Sequence, residues 1–399
     1  MKDKKKALAF FAVCILWGTS ASFAHPVTPT IIKDNNLGDY MFGLALAVMM
    51  TTNFCLSPFW GKMNGFISSR VTLLVCNLGY AMGQFMFSQA TTEMGVIIAR
   101  MFAGLFTGGI FVAQSAYIVN TSDEATRGTN LTVYMTIQTV AGAFGYFIGG
   151  MLGTWGVQYA FMAQVVCLAL AAVGYFFACV PDATVAKEDL KLDRLVKEAN
   201  PLAAFAAGKQ FLNKSWVVLL VVCGMSYMGY NAFEQVFNYY IKDIFNFGSM
   251  YNGVVKAVIG LVSLLANSTI CLWLMKKTDT KKTIIPILGI CSVTILGVIF
   301  SVNPMPYMAI SVGFFAFNSV LMPIAQNLVA DKANTDNADN NLIMGFYNAI
   351  KSLGGVIGPL SAGFLYEVSP KLPFWMAFAG FAISVVFAFW YKNMKHEAI

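Results

Sequence analysis

Apolar residues come in long blocks along this chain, and polar residues fall mainly in the short gaps between them. Each block runs for about 20 residues or more, without the strict alternation over about 10 residues that marks a barrel strand. A helix rises 1.5 Å per residue, so about 20 residues cross a hydrocarbon core of about 30 Å. Twelve blocks can be counted: residues 8–32, 40–61, 71–90, 94–119, 129–153, 157–180, 215–241, 250–275, 283–302, 306–330, 341–367 and 373–392. The pattern predicts twelve transmembrane helices, spans 1 to 12, and so an all-α integral membrane protein.

Composition points the same way. Of 399 residues, 58% are hydrophobic and only 11% charged, against about 25% charged in a soluble domain. The net charge of +7 could suggest nucleic acid, but its distribution argues otherwise. With the N-terminus inside, the even-numbered loops and both termini carry 20 of the 26 basic residues, among them Lys4, Lys62, Arg70, Lys191, Lys277 and Lys332. The outer loops carry Lys33, Lys242 and Lys371, and the spans carry the other three. That is the positive-inside bias, and it predicts a plasma-membrane protein with both termini in the cytoplasm and no nucleic-acid partner. "KDKKK" followed by an apolar run and "SFA" at 22–24 also has the outline of a signal peptide. Cleavage there would leave eleven spans and invert the charge bias, so the run is read as span 1.

The eight cysteines all lie in or beside apolar blocks, none spaced C-x-x-C, and they read as small packing residues. Metal-ligand clusters, phosphate-binding glycine loops and nucleophile elbows are absent from the sequence. No cofactor, no metal and no enzymatic activity are expected.

Residues 181–214 form the longest polar stretch, an alternation of acids and bases read as a cytoplasmic linker, partly helical. On either side the chain partly repeats itself. "IKD" at 32–34 recurs at 241–243, Gly43 matches Gly253, "AQ" at 113–114 matches 325–326, and "AGAFGYFIGG" (141–150) matches "GGVIGPLSAG" (354–363). The offset drifts slowly from 209 to 213. The reading is a duplication: two pseudo-symmetric six-helix bundles, 1–180 and 215–399, on the parallel-repeat plan of many secondary transporters.

Several motifs then resemble a known family. "HPVTPTI" (25–31), "RMFAG" (100–104) and "AGAFGYFIGG" in span 5 resemble the twelve-span drug:proton antiporters of the major facilitator superfamily. Tyr146 stands where the span-5 motif usually has proline. The loop "GKMNGFISSR" (61–70) keeps Gly61 and Arg70 but has Gly65 where that loop usually has aspartate. The resemblance implies that Gly61, Arg70, Gly145, Gly149, Gly150, Gly354, Gly358 and Pro359 serve the conformational change. Physically, these glycines are small-xxx-small sequences that let helices approach closely.

Charges inside spans are costly and need protein or water around them. The spans hold His25, Arg100, Glu234, Lys256 and Lys351, and Glu234 is the only acid well inside. Glu234 and Lys256 each lie about 10 Å below the outer end of their spans, close enough to pair. These two with His25 and Arg100 form the expected proton-coupling set. Periodicity marks polar stripes: Tyr227, Asn231, Glu234 and Asn238 in span 7; Arg100, Gly104, Thr107, Phe111 and Gln114 in span 4; Lys256, Gly260, Ser263 and Asn267 in span 8; Tyr347, Lys351, Gly354 and Gly358 in span 11. At offset 213, Lys351 matches Gln138 and Tyr347 matches Tyr134. The resemblance implies that spans 1, 4, 7 and 10 line a central cavity. The expected substrate-facing set is therefore Lys351, Tyr347, Gln138, Tyr134, Tyr227, Tyr230, Asn231, Asn238, Trp17, Gln114 and Gln326.

The sequence thus predicts a secondary transporter working by alternating access as a monomer in the bilayer, with a small molecule and protons as its partners. Proton-coupled efflux of amphipathic compounds is the first reading. Carriage of organic anions by symport or exchange is the alternative, because three permanent bases stand against one acid in the spans.

Overall fold

The structure is a computed structural model that describes residues 4–183, 199–203, 205, 212–336 and 340–394. Most of the expected linker lies outside these residues. So do Lys2, Lys187, Lys191, Arg194, Lys197, Lys209 and Lys395, seven of the bases expected inside.

Every regular element among the described residues is helical. Span 1 is divided into α1 (Lys4–Ser20), a 3₁₀ turn (His25–Val27) and α2 (Thr28–Asp34). The continuous helix expected over 8–32 breaks because Pro26 and Pro29 have no N–H to continue the ladder; each instead opens a new element. Then follow α3 (Met41–Ile67), α4 (Ser69–Gln89), α5 (Glu93–Thr121), α6 (Glu124–Trp155) and α7 (Val157–Ala178). The second half holds α8 (Lys214–Asp243), α9 (Ser249–Ala266) and α10 (Leu272–Lys277), then α11 (Thr280–Phe300), α12 (Pro304–Thr335), α13 (Asn340–Val368) and α14 (Leu372–Asn393). A π-helical stretch, Asn267–Cys271, joins α9 to α10 within span 8.

Eleven stretches among the described residues are long and apolar enough to cross a membrane. The twelfth expected span is present as α13, 29 residues long, enough for about 43 Å. Side-chain caps start several helices: Thr92 Oγ1 accepts from Gly95 N at 3.2 Å, and Asn213 Oδ1 from Trp216 N at 3.0 Å. A single residue, Gly156 at φ 144°, joins α6 to α7. A side chain there would be strained, so this corner depends on glycine.

Contacts divide the chain into two compact units. Unit 1 holds Met1–Leu37, Val48–Pro201 and Phe247–Ala257; unit 2 holds Gly38–Ala47, Leu202–Asn246 and Val258–Ile399. Within unit 1, α1 packs on α6 and α7, and α4 on α5 and α7. Within unit 2, α8 packs on α13 and α14, and α11 on α12 and α14. The two packing schemes correspond span for span at a shift of six, as a duplication requires.

Aromatic rings fill both cores. In unit 1, Phe10 lies against Tyr117 and Tyr175, with ring centroids 4.7 and 5.8 Å away. In unit 2, Phe233 meets Phe314 at 4.1 Å, and Phe237 stacks nearly parallel on Tyr307 at 5.7 Å. The outward faces are apolar too: Leu8, Phe177, Val293 and Val386 are each more than half exposed. Helices that are apolar all round belong in a hydrocarbon solvent.

Candidate functional site

Unit 2 gathers the acid of span 7 and the lysine of span 11 around one tyrosine. Tyr227, Asn231, Glu234 and Asn238 share a face of α8, since positions three and four apart align on a helix. Asn231 is buried and donates from Nδ2 to the Tyr227 carbonyl at 2.8 Å. Glu234 is half-buried, within electrostatic reach of Tyr227. From α13, Lys351 Nζ lies 5.1 Å from the Tyr227 ring centre and 5.3 Å from that of Tyr347. Both distances are within cation–π range. A lysine in a helix leans toward the N-terminus, over the residue four before it, which accounts for the contact with Tyr347. Tyr230 extends the aromatic edge to Phe315 at 6.2 Å, and Gln326 is exposed on α12.

In unit 1 the matched positions carry no charge. Trp17 is buried, edge-on to Phe111 at 5.3 Å, and among the described residues its Nε1–H has no acceptor; Gln138 Nε2 is likewise buried without one. Gln138 lies against Gly18, where an added Cβ would meet its Oε1 at 3.1 Å. Gln114 and Tyr134, expected to face substrate, are instead joined inside the bundle. Gln114 is 0% exposed. The Tyr134 hydroxyl donates to Gln114 Oε1 at 2.7 Å, while Gln114 Nε2 donates to the Tyr175 hydroxyl at 2.7 Å. Tyr175 in turn reaches Cys14 Sγ at 3.4 Å. This chain of bonds ties α1, α5, α6 and α7 together inside the bundle, so exposed Gln326 does not share the environment of its sequence match Gln114.

The remaining intramembrane bases of unit 1 rest on rings. Arg100 is 6% exposed, with Cζ 4.0 Å from the Phe87 ring centre and a weak contact to Met49 Sδ at 3.6 Å; its Nε has no acceptor among the described residues. His25 stacks on Tyr146 at 5.2 Å and 11°, and Lys256 Nζ lies 5.5 Å from the same ring. Tyr146, the departure from the span-5 glycine motif, is thus a shared platform for two basic groups. Lys256 counts with unit 1 and Glu234 with unit 2.

The motif glycines sit where backbone meets backbone. On α6, a Cβ at Gly145 would overlap the Thr19 carbonyl, and one at Gly149 the Phe23 carbonyl. On α13, a Cβ at Gly358 would overlap the Met228 carbonyl, and one at Gly354 would meet Met228 N at 3.1 Å. A second pair recurs in each unit. In unit 1, Gly253 faces Gly150, with a Cβ at Gly253 3.1 Å from Gly150 Cα. In unit 2, Gly43 faces Gly363, and a Cβ at Gly43 would overlap the Pro359 carbonyl. Gly61 has more room, with Val112 Cγ1 at 3.7 Å.

Two polar devices escaped the sequence reading. Asp182, just beyond α7, accepts from Ser69 N at 2.7 Å and Ser69 Oγ at 2.6 Å, holding a carboxylate at the start of α4. Asn120 Nδ2 adds a third bond at 3.2 Å, and neighbouring Arg70 lies over Phe176 at 3.9 Å. This acid comes from 113 residues away, so no local spacing announces it. In unit 2, Lys332 Nζ pairs with Asp336 Oδ2 at 2.8 Å, both side chains almost fully buried, while Trp216 Nε1 donates to the same oxygen at 2.8 Å. The i,i+4 spacing was available in the sequence; the burial was not.

Comparisons with known proteins agree in kind. A family model for the Major Facilitator Superfamily matches residues 7–340. Multidrug resistance protein 2 of Bacillus subtilis (strain 168) is 20% identical over 364 residues, covering 90% of this chain and 88% of that protein. Tetracycline resistance protein, class H, of Pasteurella multocida is 22% identical over 382 residues, covering 92% and 90%. Among solved structures, a bacterial homolog of the human lysosomal transporter Spinster, inward-facing and unoccupied, matches with a TM-score of 0.77 at 10% identity, covering 97% of this chain and 96% of that one. The human organic anion transporter MFSD10 matches with a TM-score of 0.67 at 15% identity, covering 96% and 99%.

Proposed function

The chain belongs to the major facilitator superfamily, and on that premise we propose that this membrane transporter exports small amphipathic organic compounds in exchange for protons. The observation that carries the reading is Glu234. It is the one acid deep in a span, half-buried beside Tyr227 and Asn231 on the polar face of α8. An intramembrane carboxyl in that setting is suited to take up and release a proton during a transport cycle. The drug-resistance relatives support the amphipathic substrate class.

Transport would proceed by alternating access of the two six-helix halves, with both termini on the cytoplasmic side of the cell membrane, the side that the charge bias favours. Glu234 carries the proton in this proposal, and Tyr227, Tyr230, Asn231, Asn238, Tyr347 and Lys351 of the same unit face the substrate. In unit 1, Arg100, His25 and Lys256 are kept as the proton-coupling groups of that unit, and Trp17 and Gln138 as its substrate-facing groups. Gln114 and Tyr134 drop out of that set because their polar groups bond each other. Transport of organic anions is the second reading, and Lys351 is the residue that favours it.

The reading is tested in proteoliposomes made acidic inside. Three probes of one size class are offered: ethidium, naphthalene-2-sulfonamide and naphthalene-2-sulfonate. Exchange for protons predicts that at least one accumulates above the level in protein-free vesicles and leaks away when nigericin dissipates the gradient. Accumulation of none, or accumulation only in vesicles made alkaline inside, contradicts it.

A further inference from the structure

Among the described residues of unit 2, Lys281, Lys332 and Lys351 are buried or half-buried over aromatic rings, and the last two, both inside long helices, differ in one respect. Lys332 Nζ lies 4.9 Å from the Trp216 ring and also pairs with the carboxylate of Asp336 at 2.8 Å. Lys351 Nζ has two rings, Tyr227 at 5.1 Å and Tyr347 at 5.3 Å, but no carboxylate pairs with it among the described residues. Lys332, the more deeply buried of the two, is matched by an acid. Ring faces offset only part of the cost of removing an ammonium from water, and an anion normally supplies the rest.

Lys351 is the twelfth residue of a 29-residue helix, about 16 Å from its start. Its ammonium is held against Tyr347, itself 2% exposed, and Tyr227. The seat therefore has an aromatic wall and a positive charge, with no carboxylate paired to it among the described residues. Unit 1 repeats the imbalance at the matched residue: among the described residues the buried donor Gln138 Nε2 has no acceptor, and neither does Trp17 Nε1.

We propose that Lys351, caged by Tyr227 and Tyr347, is the anchor for an anionic group, of the carboxylate or sulfonate class, on the compound this protein carries. The proposal rests on the transport reading above and narrows its substrate to amphipathic organic anions. The charge would meet Lys351 in a charge-assisted hydrogen bond, with the ring system of the ligand against the two tyrosines.

The test is binding to the purified full-length protein in uncharged detergent, with no gradient present. Naphthalene-2-sulfonate and naphthalene-2-sulfonamide share a ring and a sulfur centre and differ in charge. Wild type should bind the sulfonate more tightly by about tenfold or more. Lys351→Gln, which copies Gln138, should bring the two affinities together by weakening the sulfonate alone. Lys351→Arg should keep the preference. Unchanged sulfonamide affinity in Lys351→Gln shows that the variant is folded. Equal affinities in wild type, no sulfonate binding at all, or a preference that survives Lys351→Gln would overturn the proposal and leave Lys351 as a lysine reaching for the membrane surface. Phosphatidylglycerol added to the micelles distinguishes a carried anion from a lipid headgroup. The sulfonate keeps its affinity in the first case; displacement by the lipid overturns the proposal. A sulfonate preference together with no accumulation of any probe in acid-inside vesicles would sink proton exchange and spare the anion site.

Discussion

Glu234→Gln is expected to leave a folded protein that still binds its substrate and no longer accumulates it against a gradient. The change keeps the shape of the side chain and removes its charge and its exchangeable proton. Asn231 and Tyr227 keep their mutual hydrogen bond, which does not involve the carboxyl, so the face of α8 should hold. Accumulation driven by pH should fall to the level of protein-free vesicles. Binding without a gradient should change little, and so should downhill exchange of labelled for unlabelled substrate. Retention of uphill transport by the variant would place the proton elsewhere. His25, stacked on Tyr146, would then be the next residue to test, since an unperturbed histidine titrates near pH 6.5.

The largest effects on stability are expected along the glycine seam of α6. Gly145→Ala and Gly149→Ala each place a methyl group on a backbone carbonyl of the span-1 segment, Thr19 and Phe23 respectively. A carbonyl cannot swing aside as a side chain can, so the helices must part. Overpacking of this kind costs about 1–3 kcal/mol or more per site. Gly142, on the same helix, has only Ser22 Oγ at 3.6 Å, and Gly142→Ala should be neutral or stabilising by up to about 1 kcal/mol through helix propensity. Thermal unfolding followed by size-exclusion chromatography reads the three side by side. Equal tolerance at 142, 145 and 149 would show that α6 and span 1 are not in the contact described.

Much of this was legible in the sequence because the membrane simplifies the problem. A bilayer admits few architectures, so block length alone predicted the helices, and the 213-residue offset matched Gln138 to Lys351 in sequence. The break in span 1 was not predicted, although Pro26 and Pro29 were in view, because an apolar run looks the same whether or not its hydrogen-bond ladder is continuous. The substrate-facing set was only partly legible. Periodicity assigns a residue to a helix face but does not say which neighbour that face meets. Gln114 therefore read as cavity-lining, yet it bonds Tyr134 and Tyr175 within the bundle. Asp182 was invisible for the converse reason: its partner Ser69 is distant in sequence, and a lone aspartate after a helix carries no local signal. Tyr146 read as a defect in a motif; the structure gives it His25 and Lys256 to hold.

In the proposed exchange, substrate and protons cross the membrane in opposite directions, each movement coupled to the other. Coupling is reciprocal, so a substrate gradient alone must move protons. Proteoliposomes are loaded with the probe that accumulates in acid-inside vesicles, together with a pH-sensitive dye, and diluted into probe-free buffer of the same pH, with valinomycin and potassium clamping the membrane potential. The interior is expected to turn acidic as the probe leaves, with wild type and not with Glu234→Gln. Efflux of the probe with the internal pH unchanged, or turning alkaline, would contradict it.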